Sequence, residues 1–132
     1  MRNRHEIREA AFQSLFALNA NPEADHAAVY ADVLAPGEEV PDYLTELVDG
    51  VLAHQAELDE AISAKLKKGW TLSRLTKTDL IVLRLGLYEI QYEAAMPDKA
   101  AINEALEIAK TYSDEQAAKF INGILGHFVA KA

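Results

Sequence analysis

Two groups of basic side chains are the residues of this chain whose types and spacing could do chemistry. Arg2, Arg4 and Arg8 stand near the N-terminus, and a second basic zone runs from Lys65 to Lys77. Guanidinium and ammonium groups bind phosphate oxygens, and flexible basic arms commonly become ordered on RNA. The same arm is also typical of a frayed, solvated helix end, so both interpretations stay open at this stage.

The net charge of −8 hides a segregation of charge along the 132 residues. Twelve acids and no Lys or Arg lie between Glu9 and Ala64, whereas six bases and one acid, Asp79, lie between Lys65 and Arg84. Exposed charges are screened beyond about 8 Å at physiological salt, so a partner experiences the local patch rather than the sum. The basic zones could hold RNA and the acidic half could face a basic protein. Both together are typical of an adaptor.

Residues for metal binding or catalysis are not grouped in the sequence. The chain has four histidines, at His5, His26, His54 and His127. They lack the i, i+4 spacing of a metal site, and no phosphate-loop or nucleophile-elbow motif is present. We therefore predict no catalytic residue, no metal and no cofactor. We interpret Glu104 and Glu107 as solvated or salt-bridged, and Arg84 as the ion-pair partner of one of them or the end of a polar stripe.

The apolar pattern predicts an all-α protein organised around a central helix from Thr78 to Tyr92. In this stretch, TDLIVLRLGLYEIQY, nine of fifteen residues are large and apolar or aromatic. Lys77, Arg84 and Gln91 recur at a spacing of seven, so one narrow stripe can meet water while the remainder is apolar. Gly86 inside the helix is expected where a neighbouring helix approaches closely.

Periodic segments on both sides of this helix predict the rest of the fold. They run from Asn3 to Ala20, Asp25 to Ala35, Asp42 to about Lys67, Pro97 through INEALEIAK, and Ser113 to about Ala130. Gly50 and the His54-Gln55 step predict a break in the third segment, giving two helices. Trp70 is expected to fill the core where the chain turns, with stacking on a ligand as the alternative. Gly123 and Gly126 leave one face of the last helix without bulk, open to another helix or to a partner's backbone.

Composition favours one domain in the cytoplasm without a membrane partner. The chain has no cysteine, which fits a reducing compartment. Its longest aliphatic run, Leu80 to Leu83, is far shorter than the about 20 residues of a membrane span. No apolar segment of a signal peptide follows the N-terminal arginines.

Six sequence segments, taken in their order along the chain, are specific enough to indicate a protein family. They are REAAFQSLFAL (Arg8 to Leu18), LVDGVLAH (Leu47 to His54), the Trp70 connection, VLRLGLYEI (Val82 to Ile90), INEALEIAK (Ile102 to Lys110) and KFINGIL (Lys119 to Leu125). Together they resemble the NusB transcription antitermination family over nearly the whole chain. The resemblance implies an all-α fold of about seven helices in two small helical subdomains, residues about 1–56 and 57–132.

The resemblance also implies partners. They are the single-stranded boxA RNA of ribosomal-RNA leaders and the ribosomal protein NusE, which binds this RNA more tightly as a heterodimer with NusB. Through this heterodimer the protein would join the elongating RNA polymerase indirectly.

Individual residues can be matched to the roles that the family implies. For RNA binding they are the arm residues Arg2, Arg4 and Arg8 and the start of the last helix, Gln116, Lys119 and Phe120. For the protein partner they are Asp79, at the start of the central helix, and, as a weaker candidate, Phe16. The arm of this chain is less basic than in many members because it includes His5 and Glu6, which lowers the expected RNA affinity. Phe120 could instead be a core aromatic.

Two alternatives accompany this interpretation. A related domain precedes an RNA cytosine methyltransferase, but we expect the stand-alone protein because the chain stops at Ala132. A helical adaptor that binds only protein is the second alternative.

Overall fold

The computed structural model describes residues 2–129, and this part of the chain contains seven α-helices and no strand. The helices are α1 (Arg4–Ala20), α2 (His26–Val33), α3 (Asp42–Ala53), α4 (Gln55–Ala64), α5 (Lys77–Tyr92), α6 (Asp98–Tyr112) and α7 (Glu115–Leu125). Two short 3₁₀ helices, Leu72–Arg74 and Gly126–Phe128, precede α5 and follow α7. The predicted all-α class and the number of helices are confirmed.

Helix α5 occupies the centre of the fold. Thr76 caps its N-terminus, where the hydroxyl oxygen accepts a hydrogen bond from the backbone N–H of Asp79 at 3.1 Å. All seven residues from Ile81 to Leu87 are buried, and the helix contacts α1, α3, α4, α6 and α7. The central position that the apolar pattern predicted is therefore confirmed.

Gly86 lies where α6 and α7 approach α5 most closely. A Cβ atom at this position would stand 2.8 Å from Cδ1 of Leu125 and 3.1 Å from Cβ of Ala105. These distances are shorter than ordinary carbon contacts, so the absence of a side chain lets the three helices pack together. The expectation of a close helix approach at Gly86 is confirmed.

Arg84 differs from the expectation of a partly solvated stripe. Lys77 and Gln91 are exposed, but Arg84 is buried and makes a bidentate ion pair with Asp59 of α4, at 2.7 Å (Nε) and 2.8 Å (Nη2). The predicted pairing with Glu104 or Glu107 is therefore wrong. The planar guanidinium presents two parallel N–H donors that match the two oxygens of a carboxylate. The ion pair with Asp59 therefore satisfies both charges at the interface between α5 and α4.

The N-terminal helices pack against one another and against α5. Helix α1 contacts α2 and α3, and α3 ends at His54, where the predicted break falls. Gly50 of α3 faces the ring of Tyr88 on α5, and a Cβ atom there would overlap that ring. The division into two subdomains near residue 56 stays a prediction, because α5 contacts helices on both sides of it.

Helix α7 is shorter than the apolar pattern predicts. It begins after Asp114, whose carboxylate accepts the backbone N–H of Ala117 at 2.7 Å, and ends at Leu125. A 3₁₀ turn follows to Phe128, and the predicted end at Ala130 lies outside the described residues. Among residues 2–129, no helix is long and apolar enough to cross a membrane.

Candidate nucleic-acid interface

The N-terminal arm is folded onto the protein as the first turns of α1. Asn3 caps the helix by accepting the N–H of Glu6 at 2.8 Å, and the Glu6 carboxylate accepts the N–H of Asn3 at 3.1 Å. This reciprocal capping box satisfies two backbone donors, and Glu6 places a negative charge at the positive end of the helix dipole. The arm therefore starts from a capped helix end.

Arg2 and Arg4 lie on the surface of this end of the molecule. Nε of Arg2 stands 2.8 Å from Oε2 of Glu38, and this hydrogen bond lowers the pKa of the Glu38 carboxyl. Arg4 is exposed, and its guanidinium carbon lies 3.9 Å above the centre of the Tyr43 ring. The ring contact holds Arg4 in place without using its N–H donors, which stay available for phosphate oxygens.

Arg8 differs from the exposed cation that the sequence predicts. It is only 6% exposed, and its Nε lies 2.8 Å and 3.1 Å from the two carboxylate oxygens of Glu89 on α5. Tyr43 donates its hydroxyl hydrogen to the same carboxylate at 2.6 Å. Burial, together with this hydrogen bond, raises the pKa of Tyr43 well above its usual range. Because Glu89 neutralises the charge of Arg8 in the interior, the guanidinium is not presented to a phosphate at the surface.

His5 links the arm to α6. Its Nδ1 lies 2.6 Å from Oε2 of Glu104, and its Nε2 lies 3.4 Å from Oε1 of Glu9. The hydrogen bond to Glu104 raises the pKa of the imidazole, against a smaller opposing effect of burial. Protonated His5 therefore ties α1 to α6 through the carboxylate of Glu104, while its contact with Glu9 stays within α1.

The start of α7 forms one wall of a groove of about 540 Å³. Lys119 and Phe120 line it, together with Gly123 one turn further along. Phe120 is half-buried, so one part of its ring packs on the core and the other faces the groove. Gln116 lies one turn before Phe120 and is exposed, outside the lining residues. A Cβ atom at Gly123 would meet nothing within 4 Å, so this face of α7 is not used for helix packing among the described residues.

The opposite wall of the groove comes from the connection between α4 and α5. Its lining side chains are Lys65, Leu66, Lys67, Trp70, Arg74 and Leu75. The expectation that Trp70 fills the core is wrong, because the residue is 49% exposed. Gly69, directly before Trp70, has a positive φ of 91°, a backbone conformation that favours glycine. The cluster of basic residues between 65 and 77 indicated this wall in the sequence, whereas no sequence signal indicated that Trp70 is exposed.

Asp79 and Phe16, the two candidates for contact with a protein partner, lie on α5 and α1. Burial raises the pKa of Asp79, a hydrogen bond with Thr76 opposes this rise, and the nearby carboxylate of Asp114 adds to it. Within residues 2–129, the buried Oδ1 of Asp79 has no hydrogen-bond partner. Phe16 is 38% exposed and packs beside Phe12, whose ring lies 4.7 Å from that of Tyr112. Tyr112 is the last residue of α6, and Asp114 caps α7.

The arm and the groove lie at different ends of α5. Arg8 pairs with Glu89, whereas Asp79 lines the groove, and the two positions are ten residues apart on this helix. Ten residues of α-helix rise about 15 Å. The structure therefore brings Lys119, Phe120 and Asp79 together and leaves Arg2 and Arg4 as a separate cationic patch. An RNA strand that contacts both must run along the molecule.

These features define a small all-helical protein with a cationic, aromatic groove and a docked basic arm. No group of three His, Asp or Glu residues in the range 2–129 is arranged to hold a metal ion. Residues 5–130 match the model of the NusB family, and the chain belongs to this family.

Curated relatives are similar in sequence to this protein over nearly the whole chain. The transcription antitermination protein NusB of Lacticaseibacillus paracasei is 69% identical over 129 residues, which cover 98% of this chain and 96% of the relative. The protein of the same name from Lactiplantibacillus plantarum is 51% identical and covers 96% of this chain and 94% of the relative.

Solved structures share the fold. NusB of T. maritima superposes with a TM-score of 0.84 at 32% identity and covers 97% of this chain and 92% of that one. A chain in the crystal structure of the antitermination factors NusB and NusE in complex with double-stranded RNA has a TM-score of 0.82 at 26% identity. That match covers 97% of this chain and 96% of the other.

Proposed function

We propose that this protein is a transcription antitermination factor that binds boxA-type single-stranded RNA together with the ribosomal protein NusE. In this role it acts in the cytoplasm, joins the elongating RNA polymerase through the complex, and is not an enzyme. The observation that carries the proposal is the 69% identity to a transcription antitermination protein over 98% of this chain.

The proposed RNA surface combines the arm with the start of α7. Arg2 and Arg4 supply phosphate contacts at one end, because both lie on the surface and the contact of Arg4 with the Tyr43 ring does not use its N–H donors. Gln116, Lys119 and Phe120 supply a polar group, a cation and an aromatic face at the other end. Arg8 acts as a positioning residue, since its ion pair with Glu89 anchors the helix from which the arm projects.

The proposed partner surface adjoins the RNA surface. Asp79 lines the same groove as Lys119 and Phe120, so a protein bound at Asp79 and Phe16 would stand beside the RNA at α7. This neighbourhood gives a physical reason for tighter RNA binding by a heterodimer. The partner can contact the same strand, or restrict the groove, without any change of fold.

The experiment is RNA binding by the purified protein with and without NusE. We expect measurable binding of a single-stranded boxA oligonucleotide by the protein alone and tighter binding by the heterodimer. An oligonucleotide of the same composition in scrambled order controls for general charge attraction. A duplex of the boxA sequence is the second control, because the crystal structure of NusB and NusE described above contains double-stranded RNA. No RNA binding by either the protein or the heterodimer, with NusE still bound, would favour the adaptor that binds only protein.

A further inference from the structure

The wall of the groove that carries Trp70 has no role in the RNA surface proposed above. Trp70 is half exposed, and one contact of its backbone and one of its indole ring position the residue. The backbone N–H of Trp70 donates to the carbonyl of Lys67 at 2.9 Å, and the guanidinium carbon of Arg74 lies 5.2 Å from the ring centre. Arg74 in turn donates to the carbonyl of Gly69 at 2.9 Å. A positioned indole of this kind offers a π-face to a ligand at little cost in side-chain entropy.

The charges of the groove select the kind of occupant. Among its lining residues are four Lys or Arg side chains and one carboxylate, that of Asp79. The cations are Lys65, Lys67, Arg74 and Lys119. The protein as a whole has a net charge of −8, so an anionic ligand is attracted to this concentration of positive charge and repelled by the acidic rest of the surface.

Aromatic faces and cations in one groove are the combination that single-stranded nucleic acids require. Bases stack on aromatic rings, while ammonium and guanidinium groups follow the phosphates. A lone phosphate would leave the apolar walls uncovered. An apolar side chain of a protein would leave the four cations without a counter-charge. A groove of about 540 Å³ also falls within the size range of sites for small ligands, so it can take a base with its sugar.

We propose that Trp70 stacks on a base of the bound single-stranded RNA, with the adjacent phosphates on Lys67 and Arg74. The inference rests on the proposed function and extends its RNA surface from α7 across the groove to the connection between α4 and α5. The strand then passes between Phe120 on one wall and Trp70 on the other.

Trp70 is the only tryptophan of the chain, so its fluorescence reports on this wall directly. A single-stranded boxA oligonucleotide should quench the indole emission, and the quenching should saturate with the same Kd as binding measured by an independent method. The variant Trp70→Phe, titrated in the same way, supplies the background to subtract. Binding that leaves the indole emission unchanged would overturn the inference while leaving the proposed function standing.

Substitutions test the energetic contribution. Trp70→Ala should weaken RNA binding about 5- to 100-fold, the effect of one stacked base, with little change in salt dependence. Trp70→Phe keeps an aromatic face and should stay close to wild-type affinity. Circular dichroism and thermal unfolding establish that both variants are folded. Equal losses in the two variants would overturn stacking.

A matched pair of lysines tests the phosphate contacts. Lys67 lines the groove, whereas its neighbour Lys68 is exposed outside it. Lys67→Ala should flatten the log–log salt slope of RNA binding by about 0.7, and Lys68→Ala should leave it unchanged. Equal effects of the two would show a general charge attraction and overturn the groove. Quenching of Trp70 by NusE without RNA, and none by RNA, would assign the wall to the protein partner instead.

Discussion

Nε of Arg8 lies 2.8 Å from Oε2 of Glu89, although 81 residues separate the two in the sequence. Both side chains are buried, and Tyr43 donates a third hydrogen bond to the carboxylate. The pair joins α1 to α5 and fixes the helix end that carries Arg2 and Arg4. The basic arm is therefore divided in function, with a buried anchor behind two surface cations.

Arg8→Ala should destabilise the protein by about 3–5 kcal/mol, because it leaves the Glu89 carboxylate buried without its counter-charge. The measurement is the free energy of unfolding from a denaturant titration. Arg4→Ala is the matched control, since Arg4 is exposed and should change stability by about 1 kcal/mol or less. Equal small losses in the two variants would contradict the buried anchor.

Leu83→Ala should cost about 2–5 kcal/mol of unfolding free energy, by loss of buried surface and the cavity that remains. Leu83 is 0% exposed at the centre of α5, whereas Leu52 of α3 is 36% exposed. Leu52→Ala therefore serves as the control and should cost clearly less. A loss below roughly 1 kcal/mol at Leu83 would mean that α5 is not the core of the fold.

The pH dependence of stability should carry a contribution from His5. Its pKa is raised in the folded state by Glu104, so the stabilisation is fully present below the unfolded pKa of about 6.5 and is lost as pH rises through the folded pKa. The free energy of unfolding of the wild type, minus that of His5→Gln, should therefore fall as pH increases from about 6 to 9. Glu104→Gln should remove most of this dependence. Parallel pH curves for wild type and His5→Gln would rule the contribution out.

Asp79→Lys should weaken the complex with NusE, because like charges would then meet where an acid is proposed to face a cationic surface. Calorimetric titration of NusE measures the change. Asp32→Lys on α2 makes the same charge change at an exposed position away from the groove and should leave the affinity unaltered. Unaltered affinity of a folded Asp79→Lys variant would exclude Asp79 from the partner surface.

Local patterns were enough to predict the helices. The bounds of α1 and α5 differ by one residue from those expected, because the apolar period and the capping residues Asn3 and Thr76 are encoded within each segment. The break at His54 and the tight packing at Gly86 were also local signals.

Long-range pairing was not predictable in the same way. A charged side chain in an amphipathic helix is expected at the surface, yet Arg84 is buried because Asp59 from another helix meets it. Trp70 is half exposed next to the positive φ of Gly69 and the guanidinium of Arg74, and an apolar pattern records neither of these neighbours. Of the candidate site, the types of residue were predictable and their grouping was not.

The salt dependence of boxA RNA binding tests the central claim, that the arm and the start of α7 hold RNA, most directly. Roughly three to five phosphate contacts predict a log–log slope of about −2 to −3.5 for single-stranded RNA, and Arg4→Ala should flatten it by about 0.7. Phe120→Ala should weaken binding by roughly 1–3 kcal/mol with little change in slope, because stacking releases no counterions. A folded Arg2, Arg4 double alanine variant that binds the RNA with wild-type affinity and slope would contradict the account.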